Sequence, residues 1–134
     1  MNISDTKAQI HASTLNSEEE SEIRAALWVS LVSELRSKSS LMEAAGQLEK
    51  PTIDEPLYQE FTMTANEGFL SVWLNGDTGK GSWRVVSKLL DMAEPWFLST
   101  SGEFKLDGEA MNLSAAADRF IAKVSGQWIG PAST

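Results

Sequence analysis

Residues 58–74 read YQEFTMTANEGFLSVWL, and their reading decides the fold. From Tyr58 to Ala65 the odd and even positions separate. Tyr58, Glu60, Thr62 and Thr64 form one set, and Gln59, Phe61, Met63 and Ala65 the other. That alternation is the period of a strand, whose successive side chains point to opposite faces. Asn66-Glu67-Gly68 supplies a turn. Phe69 to Leu74 then alternates again, with Leu70, Val72 and Leu74 on one face and Phe69, Ser71 and Trp73 on the other. Two strands around a short Gly-containing turn predict a β-hairpin. The second strand is apolar on both faces, so its far face is either covered twice or left for a partner.

Working outward, Asn75 to Ser82 is a Gly-rich connector. Trp83 to Glu94 fits a strand (Trp83, Val85, Ser87) and a helix (Trp83, Val86, Leu89 or Leu90, Ala93). The expectation is a short strand over 82–86 running into a helix stopped at Pro95. Trp96–Thr100, the Ser101-Gly102 turn and Glu103–Leu106 read as a second hairpin, ended by Asp107-Gly108.

Helices flank this region. Ser17 with Glu20 forms a capping box, and Glu18, Glu19, Glu20 and Glu22 stand where a helix macrodipole favours negative charge. Ile23, Leu27, Leu31 and Leu35 repeat every fourth residue, with Trp28 and Val32 beside them. They predict an amphipathic helix over about 18–37. A separate short helix is expected over Leu41–Leu48, and a Pro-containing connector over 50–57. Near the end, Leu113, Ala117, Phe120, Ile121 and Val124 share one face of a helix capped by Asn112 or Ser114, with Gly126 suited to its C′ position. The predicted class is α+β: an antiparallel sheet of about four to five strands, with N- and C-terminal amphipathic helices packed on one face. One domain over 17–129 follows, between a flexible tail at 1–16 and a short tail at 130–134.

Composition narrows the chemistry. The 134 residues include 11 Lys and Arg against 19 Asp and Glu, giving a net charge of −8. Residues 1–50 hold 5 basic and 8 acidic side chains, and 51–134 hold 6 and 11. Neither part is basic, so no nucleic-acid partner is expected. Without cysteine there is no disulfide, thiol nucleophile or thiolate metal site. A single histidine excludes any site that needs two imidazoles. Met1 to Asn16 is polar and lacks the apolar core of a signal peptide. Ala25 to Val32, the longest apolar stretch, is too short to span a bilayer. A cytoplasmic protein with no membrane partner is the expectation.

Candidate chemistry is sparse. In Gly76-Asp77-Thr78-Gly79-Lys80-Gly81-Ser82 a phosphate loop fails at two positions: Leu74 stands where the first glycine belongs, and Gly81 follows Lys80. Counted as a calcium loop from Asn75, positions six and twelve are Lys80 and Val86 rather than Gly and Glu. The loop therefore reads as a flexible connector. His11 lies in the tail, without the rigid support that proton transfer requires. Glu18 and Glu22 share a helix face at i, i+4, so the acidic run serves capping, a basic partner, or weak binding of hard or ferrous cations. Acid–base catalysis by two carboxylates is compatible with this composition, but nothing selects a pair. Of the five tryptophans, Trp28 and Trp96 suit a core. Trp73, with Phe69, reads either as plain core or as an interface.

Two architectures resemble this element order. Frataxin-like proteins set an acidic first helix and a last helix against a sheet, and Glu22–Arg36, Phe69–Asn75 and Trp96–Asp107 can be laid over that order. The family carries later strands before its final helix, which this reading does not supply. That resemblance implies iron binding through the acidic helix. Small acidic secretion chaperones are similar in size and charge, with a helix between two groups of strands. The leading expectation is a non-enzymatic protein-binding module of chaperone or adaptor type, binding a protein partner or a second copy of itself as a homodimer. Phe69 and Trp73 would anchor the partner, and Glu18, Glu19 and Glu22 would steer it. No cofactor or metal is expected. The alternatives are the iron-binding protein and a small carboxylate-dependent enzyme.

Overall fold

The computed structural model describes residues 16–65, 67–87 and 91–125. Helix α1 spans Ser17–Ala44. Its cap is Asn16, whose Oδ1 accepts the Glu19 N–H at 2.8 Å. The expected cap at Ser17 is thus displaced by one residue. Nor does the helix stop near residue 37. Nothing between Arg36 and Leu41 is Gly or Pro, and the Ser39 hydroxyl donates to Arg36 O at 2.9 Å. Of the separate helix expected over Leu41–Leu48, Leu41 to Ala44 form the last turn of α1 and the remainder is not helical. The stop comes at Gly46, whose φ of 77° needs no Cβ. The Gln47 N–H returns to Met42 O at 2.7 Å and closes the end.

Seven strands follow in one antiparallel meander, each paired with the next. They are β1 Thr52–Asp54, β2 Glu60–Ala65, β3 Gly68–Leu74, β4 Lys80–Val86, β5 Asp91–Leu98, β6 Phe104–Leu106 and β7 Glu109–Met111. Helix α2, Leu113–Ser125, closes the order. Asn112 caps it, accepting the Ala115 N–H at 2.8 Å.

The α+β class and both expected hairpins are present, but seven strands replace four to five. Two of the additions, β1 and β7, have three residues each, too few to show a period in the sequence. The third change concerns residues 83–94, where no helix forms among the described residues. Instead β4 and β5 pair over seven positions, from Lys80↔Phe97 to Val86↔Asp91. The period of two prevails because Trp83 and Val85 are buried while Ser82 and Arg84 are exposed. Asp107-Gly108, read as a terminator, is the turn between β6 and β7. Its φ values of 55° and 76° are the left-handed pair of a two-residue hairpin loop.

The core lies on one face of the sheet. Phe61, Met63, Leu70, Val72, Trp83, Val85, Leu98, Phe104 and Leu106 point into it. From α1 come Trp28, Leu31, Val32 and Leu35, and from α2 come Ala116, Ala117, Phe120 and Ile121. Phe120 meets Trp83 and Trp96 edge-on at 5.0 and 5.7 Å. Helix α2 lies on β3, β4 and β6, and α1 packs mainly against α2. This placement is more layered than two helices side by side on the sheet. Lys38 of α1 bonds Asp118 of α2 at 2.8 Å. That hydrogen bond raises the Lys38 pKa, against the opposing effect of burial. The tie is therefore intact at neutral pH and, on the alkaline side, persists until pH climbs past the ordinary lysine range. The tail readings at 1–15 and 130–134, with His11, Gly126 and Trp128, lie outside the described residues. No helix among the described residues is long and apolar enough to cross a membrane.

Candidate functional site

The opposite face of the sheet is covered by neither helix. Cross-strand partners share a face, so the register lays out its surface in rows. One row runs Glu60, Trp73, Ser82, Pro95, and the next runs Thr62, Ser71, Arg84, Ala93. A third runs Thr64, Phe69, Val86, Asp91. Beyond Pro95 stands the row Lys80, Phe97, Lys105. Phe69 is 38% exposed, Trp73 41% and Phe97 37%. Strand β3 is thus apolar on both faces, with helices on one side only. Arg84 and Asp91 pair across this surface at 3.3 Å.

A groove of about 470 Å³ opens at the β5–β6 side of this face. Its walls include Lys80, Pro95, Phe97, Lys105 and the Asp107-Gly108 turn. Phe97, Lys80 and Lys105 were not among the expected site residues. The signal was nevertheless present. Trp96-Phe97-Leu98 is apolar on both faces, as Phe69–Leu74 is, yet only the latter was read as a two-sided strand.

The acidic residues stand elsewhere. Glu18 and Glu22 line a second groove of about 530 Å³ with Ser21, Tyr58 and Asp77. Ser21 Oγ donates to Asp77 Oδ1 at 2.9 Å, which places the loop carboxylate beside the helix. Glu19 is part-buried and does not line this groove. The fold therefore divides the expected site between two surfaces, Phe69 and Trp73 on the open sheet and Glu18 with Glu22 at the start of α1. Among the described residues, no group of three or more His, Asp or Glu is placed to hold a metal ion.

The Gly-rich loop is not a slack connector. Arg24, 5% exposed, sends its guanidinium from α1 into the loop. Nε donates to Leu98 O at 2.9 Å, and Nη1 to Gly76 O and Asp77 O, both at 3.2 Å. The Gly76 N–H donates to the buried Gln59 Oε1 at 3.1 Å. Gly79 has φ 82°, and a Cβ there would stand 2.5 Å from Leu98 O and 2.8 Å from Arg24 Nε. Close packing accounts for the glycines without a phosphate: Gly79 against Leu98 and Arg24, Gly76 against Gln59, and Gly81 against Trp96. Arg24 also lies 5.9 Å from the centre of the Phe97 ring, linking the helix to the open face.

Comparison with known proteins gave no match to a family model, to a curated protein or to a solved structure. Function is therefore argued from this geometry alone.

Proposed function

We propose that the chain is a non-enzymatic protein-binding module of chaperone or adaptor type, and that the open sheet face is its contact surface. The observation that carries this reading is the exposure of Phe69, Trp73 and Phe97 on a face that no described element covers. Aromatic side chains give large contact area at little rotamer cost, so interfaces concentrate them. The acidic remainder of the surface keeps the protein soluble around that patch.

A photo-crosslinking residue placed at Ser71, beside Trp73 on the open face, tests it in cells. Ser33, on the exposed side of α1, is the control position. Adducts are expected from Ser71 and not from Ser33, and Trp73→Ser should abolish them. An adduct at twice the chain mass identifies a homodimer. Absence of adducts from Ser71, or adducts indifferent to Trp73→Ser, overturns the reading.

One observation favours a second reading, the frataxin-like iron-binding protein. Strand β7 adds one strand between the matched segment Trp96–Asp107 and the final helix, which supports that resemblance. Asp77 also joins Glu18 and Glu22 in one groove. Oxygen ligands alone, without an assembled three-residue set, imply weak binding. A ferrous titration followed by NMR should then move the Glu18, Glu22 and Asp77 amides and leave those of β3 unmoved. Unmoved amides in excess metal end this reading.

A further inference from the structure

The row Lys80, Phe97, Lys105 carries a chemical preference beyond the general reading of the open face, on which it rests. Lys80 of β4 faces Phe97 of β5, which faces Lys105 of β6. With neighbouring strands ~4.8 Å apart, the two lysine Cα atoms stand about 10 Å apart across the phenyl ring. All three residues are exposed, and the groove continues past them over Pro95 and Gly108.

Charge sets this strip apart. Arg36 pairs with Glu55, Lys38 with Asp118, Arg84 with Asp91, and Arg119 with Asp107 and Glu109. Among the described residues, Lys50, Lys80 and Lys105 have no ion-pair partner. Two of these three border the same groove. Behind the ring lies Arg24, whose recorded partners are all carbonyl oxygens. Glu94 and Asp107 line the groove too; Arg119 holds the Asp107 carboxylate at 3.6 Å. A chain of net charge −8 thus places two lysines without an ion pair on either side of one exposed phenyl ring.

We infer that this strip binds an acidic linear segment of a partner protein. An apolar side chain of that segment sits against Phe97 and Pro95, and flanking carboxylates meet Lys80 and Lys105. Charge complementarity selects this occupant. A second copy, strip against strip, would bring lysines onto lysines.

The full chain is titrated by calorimetry with a blocked heptapeptide alternating glutamate and leucine, and separately with its lysine–leucine counterpart. The acidic peptide is expected to bind, more weakly as salt rises, and the basic one not to bind. Lys80→Glu with Lys105→Glu should weaken binding at least about tenfold, while Lys50→Glu leaves it unchanged. Should the double reversal lower the melting temperature, Lys80→Gln with Lys105→Gln takes its place, with the loss still expected. Equal binding of both peptides, indifference to the lysine changes, or displacement of the peptide by equimolar glutarate overturns the inference. Failure of the acidic peptide to bind, while Ser71 adducts still depend on Trp73, overturns this inference alone and leaves the protein-binding reading standing.

Discussion

Gly81→Ala is expected to destabilise the fold by at least about 3 kcal/mol, at the upper end of the usual overpacking range. Gly81 is the second residue of β4, paired with Leu74 on one side and Trp96 on the other. A Cβ there would stand 2.5 Å from the Trp73 carbonyl oxygen and 2.5 Å from Trp96 Cε2. The backbone oxygen cannot yield without breaking the β3–β4 ladder. The indole cannot swing freely either. Its Nε1 donates to Ser82 O at 3.0 Å, and its ring stacks on Phe104 at 5.8 Å while meeting Phe120 edge-on. One methyl group therefore strains the ladder, the indole hydrogen bond and the aromatic cluster together. Thermal unfolding followed by near-ultraviolet circular dichroism should show a fall of about 10 °C or more. An unchanged melting temperature with an altered aromatic signal would mean that Trp96 relocates cheaply, and the packing account of Gly81 would be wrong.

Arg24→Met carries the second large effect, a loss of about 3 kcal/mol. The substitution keeps an unbranched, flexible stem and removes donors to three carbonyl oxygens, those of Leu98, Gly76 and Asp77. A buried acceptor left without a partner costs about 1–3 kcal/mol. Some of that loss is offset because a methionine is easier to bury than a guanidinium. Arg24→Lys should recover only part of the stability, since a single ammonium lacks the rigid fork that spans the carbonyls of the β3–β4 loop and of the end of β5. Hydrogen exchange supplies the local readout. The Gly79 N–H bonds to Asn75 O, and the Leu98 N–H to Gly79 O. Both should exchange faster in Arg24→Met, ahead of amides in the middle of β3. Uniform acceleration across β3 and the loop would instead point to global destabilisation alone.

These two sites show how far the sequence could be read. The hairpin of 58–74 was legible because six or seven residues per strand are enough for a period of two to stand out. The last helix was legible for the same reason at a period of 3.6. Strands β1 and β7 were not, because a three-residue edge strand is defined by its neighbour rather than by its own pattern. Residues 83–94 satisfied two periods at once, and only pairing of β4 with β5 decided between them. Arg24 was passed over as one more polar position in a helix, since no local signal marks a charge destined for a carbonyl cage. The surface bearing Lys80, Phe97 and Lys105 was hidden differently. Its three residues are spread over 26 positions of chain, from 80 to 105, and meet only through register.

By itself the sequence determined the α+β class, the two terminal amphipathic helices, the two hairpins and the two-sided character of strand 69–74. Each of these is written in local periodicity and capping residues, which depend on near neighbours. Tertiary structure alone decided the number of strands, the caging of Arg24 within the glycine loop, and the separation of the acidic helix start from the aromatic sheet face. Those outcomes depend on which distant segments pair. Strand register and helix packing set that pairing through the burial of a shared core, and no local window of sequence contains it.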